Sequence, residues 1–129
     1  MAQIVVYGVD AVLRKRVGAL SDAIHSAAIE ALGLPGDKRF HRFVPLEREL
    51  FLAPPDRSDD YTIVEVSLFA GRSADVKKRF LRLLSERVSA LGIAPADLEV
   101  TLTETPRENW LIRGLPADEL TLPYRVALS

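Results

Sequence analysis

The chain has 129 residues and a formal net charge of −1, with 48% apolar and 27% charged residues. This length allows one domain with a substantial core, and the composition is ordinary for a soluble globular protein. Because the net charge is near zero, no overall positive field exists to attract nucleic acid or an anionic membrane.

The chain has no cysteine and only two histidines, His25 and His41. Disulfides and thiolate chemistry are therefore excluded, and neither histidine has the spacing to carboxylates that is typical of a metal site. We expect no metal and no other cofactor. The first residues lack a signal-peptide pattern and no apolar run approaches membrane-spanning length, so we expect a cytoplasmic protein.

The first half begins with an apolar, β-prone run at residues 3–7, followed by a helix-like stretch that ends near Leu32. Gly33 is placed to end this helix in the left-handed conformation, and Pro35 follows it. A second β-prone run lies at residues 39–44. Apolar residues recur along the helix at steps of three and four, which predicts one buried stripe: Leu13, Val17, Leu20, Ile24, Ala28 and Ala31.

The second half repeats this order. A β-prone run at residues 61–69 precedes a second helix, which Ser73 is placed to cap and Gly92 to end, and a last β-prone run lies at residues 98–103. Gly33 and Gly92 are 59 residues apart, so the two halves are nearly in register. The predicted buried stripe of the second helix is Val76, Phe80, Leu83, Leu84, Val88 and Leu91.

Two strand–helix–strand units predict a single α/β (α+β) domain over residues 1–129, with a four-stranded sheet and both helices on one face. Repeat one spans about 3–45, a linker 46–60, repeat two about 61–104, and a tail 105–129 with short strands near 111–112 and 124–128. Sheets with parallel pairs usually have both faces covered. We therefore expect the open face to pack against partner subunits; the alternative is a monomer whose semi-polar face is wet.

Arg72 lies in the turn from the third strand into the second helix. Free N–H groups and the helix dipole favour anions at such a turn, and a guanidinium suits a carboxylate or phosphate. The alternative is an arginine that pairs with a surface acid, and the spacing alone leaves both open.

Other candidates have structural alternatives that are at least as strong. Trp110, the only tryptophan, can wall a pocket or cap the core, and the core is favoured. Asp37 follows the first helix and can act as a base, but Asp97 at the equivalent place indicates that this loop requires an aspartate for its own backbone hydrogen bonds. Structural roles are favoured for His25 and His41, although His41 can also line a site.

Four segments together resemble the tautomerase superfamily, in the branch of malonate semialdehyde decarboxylase and its relatives. They are residues 31–40 (ALGLPGDKRF), 57–60 (RSDD), 70–78 (AGRSADVKK) and 106–110 (PRENW), and the resemblance extends from Ile4 to about Gly114. It implies β-α-β repeats assembled as a homotrimer, with sites between subunits. It also implies activity on small α-keto, enol or haloacrylate acids.

The resemblance implies roles for several residues. Arg72 falls on the arginine that binds the substrate carboxylate, and Trp110 on a tryptophan that helps to wall the pocket. The second arginine of decarboxylase-like members is replaced by Ala70. Their acidic residue falls closest to Lys38, with Asp37 one place away.

The largest departure from the family is Ala2, which stands where the family has a catalytic amino-terminal proline exposed by removal of the initiator Met. A free alanine amine has a pKa of about 7.7–8.0, so it can act as a base near neutrality without proline's rigid ring. A retained Met1 would move the amine by one residue, about 3.5 Å.

Two functions follow. In the first, the protein is an enzyme of altered or weak isomerase or lyase-type activity on a small keto or enol acid. Arg72 binds the carboxylate, Trp110 and Ile112 wall the site, and the amine of Ala2 or the carboxylate of Asp37 moves the proton.

In the second, the protein is a non-catalytic relative that binds a small anion or serves as an assembly module. The missing proline, Ala70 and Lys38 favour this hypothesis. The basic clusters at 14–16 and 77–79 lie on the predicted helices and are interpreted as solvated faces. Nucleic-acid binding through them is disfavoured because it requires a continuous positive surface. We expect a small carboxylate and further copies of this chain as the partners, with no membrane contact.

Overall fold

A computed structural model describes residues 2–121, in which six strands and two α-helices are joined by short 3₁₀ turns. Two short strands at residues 111–112 and 115–116 form a separate hairpin after the main elements, so the predicted strand near 111–112 is confirmed. The strand predicted near 124–128 lies outside the described residues. The elements are β1 (Ala2–Val9), α1 (Asp10–Leu32), β2 (His41–Leu46), β3 (Thr62–Phe69), α2 (Ala74–Ser89), β4 (Leu98–Thr105), β5 (Leu111–Ile112) and β6 (Leu115–Pro116).

The main sheet has the strand order β2-β1-β3-β4. Each half contributes a parallel pair, β1 with β2 and β3 with β4, and the halves meet where β1 runs antiparallel to β3. The prediction of two β-α-β units in one four-stranded sheet is therefore confirmed. The register brings Ala2 beside Leu68, and Leu68 beside Glu104. The Ala2 end, as we call it, is thus formed by the starts of β1 and β2 and the ends of β3 and β4.

Both helices pack on one face of this sheet. Alternate strand residues such as Ile4, Val6, Val64 and Val66 are buried in the same apolar cluster as Phe80 of α2. The predicted helix stripes form most of the rest of this core. Val17 is an exception at 37% exposure, because the buried side of α1 is centred nearer to Ser21 and Ala27.

The predicted helix caps are confirmed. Gly33 adopts φ 69° after α1, and its N–H donates to the carbonyl of Ile29 at 3.1 Å. The hydroxyl of Ser73 accepts from the N–H of Val76 at 3.2 Å at the start of α2. Gly92, at φ 91°, lies in the turn that follows α2, and Leu91 packs against the core from that turn rather than from the helix.

Asp97 joins the linker to the second repeat. Its carboxylate accepts the backbone N–H of Ser58 at 2.8 Å and the hydroxyl of Ser58 at 2.5 Å. The expectation that this aspartate serves its own loop is therefore wrong, since its side chain holds a segment 39 residues away. Asp37 shares no such role, because it is exposed.

We expect Asp97→Ala to lower the free energy of unfolding at pH 7 by about 2 kcal/mol, because two hydrogen bonds to a charged group are lost. The same bonds, from the hydroxyl and then the N–H of Ser58, hold the pKa of Asp97 below its ordinary value. Its contribution is present at neutral pH and is lost as the pH falls below about 4. Urea unfolding at pH 7 and pH 3 measures both effects. Asp37→Ala is the control, and an equal loss in both variants would contradict the assignment.

Candidate anion-binding site

Arg72 lies in the loop between β3 and α2 with its guanidinium against the end of α1. One terminal nitrogen donates to the carbonyl of Leu32 at 3.2 Å, and the other lies 3.5 Å from the carbonyl of Phe69. The side chain is buried, at 5% exposure for the residue, and its Nε atom has no hydrogen-bond partner. Because a guanidinium carries five N–H donors, most of this hydrogen-bonding capacity is unused within residues 2–121.

The charge of Arg72 has no direct carboxylate partner among residues 2–121. Burial lowers the pKa of Arg72, and the nearby carboxylate of Glu104 partly opposes this. An arginine remains protonated in proteins even so. The structure therefore shows a buried cation held by carbonyl oxygens, and not the alternative of a surface arginine paired with an acid.

An ion pair that the sequence did not indicate lies beside Arg72. The ammonium of Lys77 in α2 is 2.7 Å from the carboxylate of Glu104 at the end of β4, and both side chains are about three-quarters buried. The basic cluster at 77–79 was interpreted as a solvated face. Lys77 departs from that interpretation because its partner is 27 residues away, on a different element.

Trp110 packs on the sheet face opposite the helices. Its Nε1 atom donates to the hydroxyl of Thr105 at 2.6 Å, and its ring meets Phe69 edge-to-face at 5.0 Å between centroids. Arg107 lies over the same phenyl ring and donates to the carbonyls of Ala117 and Leu120. The indole is thus fixed at the Ala2 end, but on the other side of the sheet from the Arg72 guanidinium.

The remaining predicted site residues lie at or near the same end of the sheet. Ala2 is the first residue of β1 and is 5% exposed, with its methyl group in the core cluster. Asp37 is exposed in the turn before β2, and Lys38 is half-buried beside it. Ile112 is half-buried in the β5–β6 hairpin that follows Trp110.

His25 and His41 support this region from the helix side. His25 is buried, and its Nε2 atom donates to the carbonyl of Gly36 at 2.8 Å, which holds the turn that carries Asp37. Nδ1 of His41 lies 2.8 Å from the hydroxyl of Ser21. Burial, and then the nearby charges of His25 and Arg39, lower the pKa of His41 to about 4. The structural interpretation of His25 is confirmed.

We expect the free energy of unfolding to fall by about 2 kcal/mol between pH 7 and pH 4 because of His41. Its pKa is about 4 in the folded chain and about 6.5 when unfolded, so the unfolded chain takes up the proton first. Because the ring is half-exposed, solvent screening makes the change smaller than the full pKa difference implies. Urea unfolding at pH 7, 5.5 and 4 should show this slope flattened in His41→Gln but retained in Asp97→Ala. An unchanged slope in His41→Gln would assign the pH dependence to other groups.

Three cavities lie within residues 2–121, and one of them is lined by His41. One of about 250 Å³ lies under the linker at the opposite end of the sheet, between Phe51 and Tyr61. Another, of about 490 Å³, is an open groove between the two helices. The third, of about 320 Å³, lies at the start of β2 between Gln3, Arg39 and Arg42. His41 thus lines the third cavity, as the sequence allowed, whereas none of the three is lined by the other predicted site residues, which are Ala2, Asp37, Arg72, Trp110 and Ile112.

No helix within residues 2–121 has the length and apolar character needed to cross a bilayer. Within the same range, no three side chains of the His, Cys, Asp and Glu types are grouped as metal ligands.

Comparison with known proteins gives consistent matches. A family model described as "Tautomerase enzyme" matches residues 38–113. The FG41 malonate semialdehyde decarboxylase, inhibited by 3-bromopropiolate, is 25% identical with a TM-score of 0.81, covering 94% of this chain and 99% of that chain. A fused 4-OT in an asymmetric trimer is 20% identical with a TM-score of 0.79, covering 90% of this chain and 96% of that chain.

A second malonate semialdehyde decarboxylase, described with decarboxylase and hydratase activities, is 22% identical with a TM-score of 0.79. The match covers 88% of this chain and 93% of that chain. At 22% and 20% identity, the likeness of this chain to the second malonate semialdehyde decarboxylase and to the fused 4-OT shows a common fold.

Proposed function

This chain belongs to the tautomerase family, and on that premise we propose that it binds a small keto or enol acid through Arg72 in a homotrimer. The observation that carries the proposal is the buried guanidinium of Arg72, which has an unpartnered Nε and no carboxylate partner within residues 2–121. A ligand carboxylate supplies the missing charge and the missing acceptors. Because the side chain is 5% exposed, the contact is shielded from water, which strengthens it.

The site extends across the Ala2 end of the sheet. Arg72 binds the carboxylate from the helix side, and Trp110 and Ile112 wall the site from the other side. Two groups are the candidates for proton transfer. The amine of Ala2 acts as the base when residue 1 is removed, and the exposed carboxylate of Asp37 is the second candidate.

In a homotrimer, partner subunits cover the open face of the sheet. Val5, Tyr7, Val44 and Ile63 lie on this face and are half-buried in the single chain. A sheet with parallel pairs normally has both faces covered. The fused 4-OT of the same fold is described as a trimer, which supports the same arrangement here.

The chemistry we propose is weak or altered isomerase or lyase-type activity. Ala2 provides a primary amine of ordinary basicity but not the rigid secondary amine of proline. A non-catalytic anion-binding or assembly role is the alternative, and it is favoured by the same substitution together with Ala70 and Lys38.

Intact-mass spectrometry with 3-bromopropiolate tests the proposal, since this compound inhibits the FG41 malonate semialdehyde decarboxylase. The untreated mass shows whether residue 1 is retained. We expect one adduct per chain at the amino terminus, and its loss in Arg72→Met. No adduct in the wild-type protein would support the non-catalytic alternative. A monomer in sedimentation at micromolar concentration would contradict the trimer.

A further inference from the structure

The ion pair between Lys77 and Glu104 differs from an ordinary surface pair. Its N···O distance is 2.7 Å, and the side chains are 28% and 24% exposed. Lys77 lies near the amino terminus of α2, where the helix dipole disfavours a cation. Its position there therefore depends on a compensating carboxylate, and Glu104 provides it.

Glu104 lies on the same side of the sheet as the guanidinium of Arg72. Glu104 on β4 is in register with Leu68 on β3, and Leu68 is in register with Ala2 on β1. Glu104 and Ala2 are therefore separated by about two strand spacings, or roughly 10 Å. Val100 and Leu102 of the same strand pack into the core under the helices, and position 104 continues that row. The N–H of Ala70, two residues before Arg72, donates to the carbonyl of Thr105, next to Glu104, at 2.8 Å, so the two side chains start from neighbouring segments. The carboxylate of Glu104 also opposes the lowering of the pKa of Arg72 by burial.

Two cations and one carboxylate therefore share this corner of the fold. If Glu104 turned to Arg72, its two oxygens would occupy the donors that a ligand carboxylate needs. The structure instead shows Glu104 bound to Lys77, while Arg72 retains an unpartnered Nε. Together the three groups carry a net charge of about +1, which suits a ligand with one carboxylate.

We propose that Lys77 holds Glu104 away from Arg72 and so keeps the Arg72 guanidinium available to a carboxylate ligand. Lys77 and Glu104 are positioning residues in this arrangement, and neither contacts the ligand. The inference rests on the proposed function, because it requires an anion to bind at Arg72. It adds one condition for binding, which is that the carboxylate of Glu104 stays paired with Lys77 and does not compete with the ligand for Arg72.

A double-mutant cycle with pyruvate as the probe tests this inference. Dissociation constants are measured by isothermal titration calorimetry at low salt for the wild type, Lys77→Met, Glu104→Gln and the double variant. We expect Lys77→Met to weaken binding about tenfold, because the released carboxylate competes for Arg72. The double variant should return to within about threefold of the wild type, since the competitor is gone.

Two further variants separate this role from a purely structural one. Lys77→Arg keeps the cation and should rescue most of the affinity lost in Lys77→Met. Arg72→Met gives the affinity that remains without the guanidinium. A structural role for the ion pair predicts the opposite pattern, in which the double variant binds no better than Lys77→Met.

The failures of the two proposals can be told apart. If the wild type binds pyruvate and Arg72→Met does not, the anion site stands. An unchanged affinity in Lys77→Met, or no recovery in the double variant, then overturns the role of the ion pair alone. If the wild type does not bind pyruvate at all, the anion site and the role of Lys77 are both overturned.

Discussion

Arg72→Met is expected to weaken the binding of pyruvate by about 100-fold. A hydrogen bond to a charged group contributes about 1.5–3 kcal/mol, and each 1.4 kcal/mol is a factor of about ten in affinity. The loss is large because the guanidinium is buried, so water cannot replace it. Calorimetric titration of the folded variant measures the change.

Two control variants accompany this prediction. Arg72→Lys keeps the cation but loses the planar fork, and we expect about a tenfold loss. Arg79→Met removes an exposed cation of α2 that pairs with Glu30, and its pyruvate affinity should match the wild type. Because Arg72 also bonds the carbonyl of Leu32, urea unfolding must show that the variant is folded at the titration temperature. Affinity within about threefold of the wild type in Arg72→Met would exclude Arg72 as the carboxylate ligand.

Ala2→Pro, expressed so that residue 2 is the amino terminus, is expected to raise the rate of ketonisation of a small enol acid by about 100-fold. A positioned general acid or base contributes about 10²–10⁴-fold, and the proline ring holds its amine in one place. The backbone can accept this change because Ala2 is the first residue of β1, where proline is tolerated in a strand. The loss of the enol's ultraviolet absorbance measures the rate.

The matched control is the same Ala2→Pro substitution behind a retained Met1. Its proline nitrogen is part of a peptide bond and cannot act as a base, so this variant should lack the roughly 100-fold gain of the trimmed variant. Activity in the trimmed variant but not in the wild type would mean that the site is intact and that the natural chain is not a proline-type catalyst. If the trimmed variant is inactive while Arg72 still binds pyruvate, the non-catalytic alternative is favoured.

Much of the fold could be predicted because its signals are local. The apolar periodicity of residues 10–32 and 74–89 defines two helices, and Gly33 and Ser73 mark ends that the structure confirms. The near-exact repetition of the two halves predicts equivalent β-α-β units. Val17 was misplaced because an apolar residue at the border of a helical stripe is buried only if a neighbouring element covers it.

The candidate site could be predicted only in part. The turn chemistry around Arg72 indicated an anion-binding position, since an arginine before a helix start is visible in the chain. The ion pair of Lys77 with Glu104 and the hydrogen bonds of Asp97 to Ser58 could not be predicted. The first joins residues that are 27 positions apart, and the second joins residues that are 39 positions apart. Long-range contacts of this kind depend on which strands become neighbours, and local patterns do not encode that.

The two repeats, the caps of both helices and the position of Arg72 before a helix can be read from the chain. Propensity and periodicity act over a few residues, so these features follow from local sequence. The burial of Arg72 with an unpartnered Nε, and the packing of Trp110 on the other side of the sheet, became visible in the folded chain. Burial and charge pairing depend on the whole packed sheet, in which the antiparallel junction of β1 with β3 brings Ala2, Leu68 and Glu104 into one row.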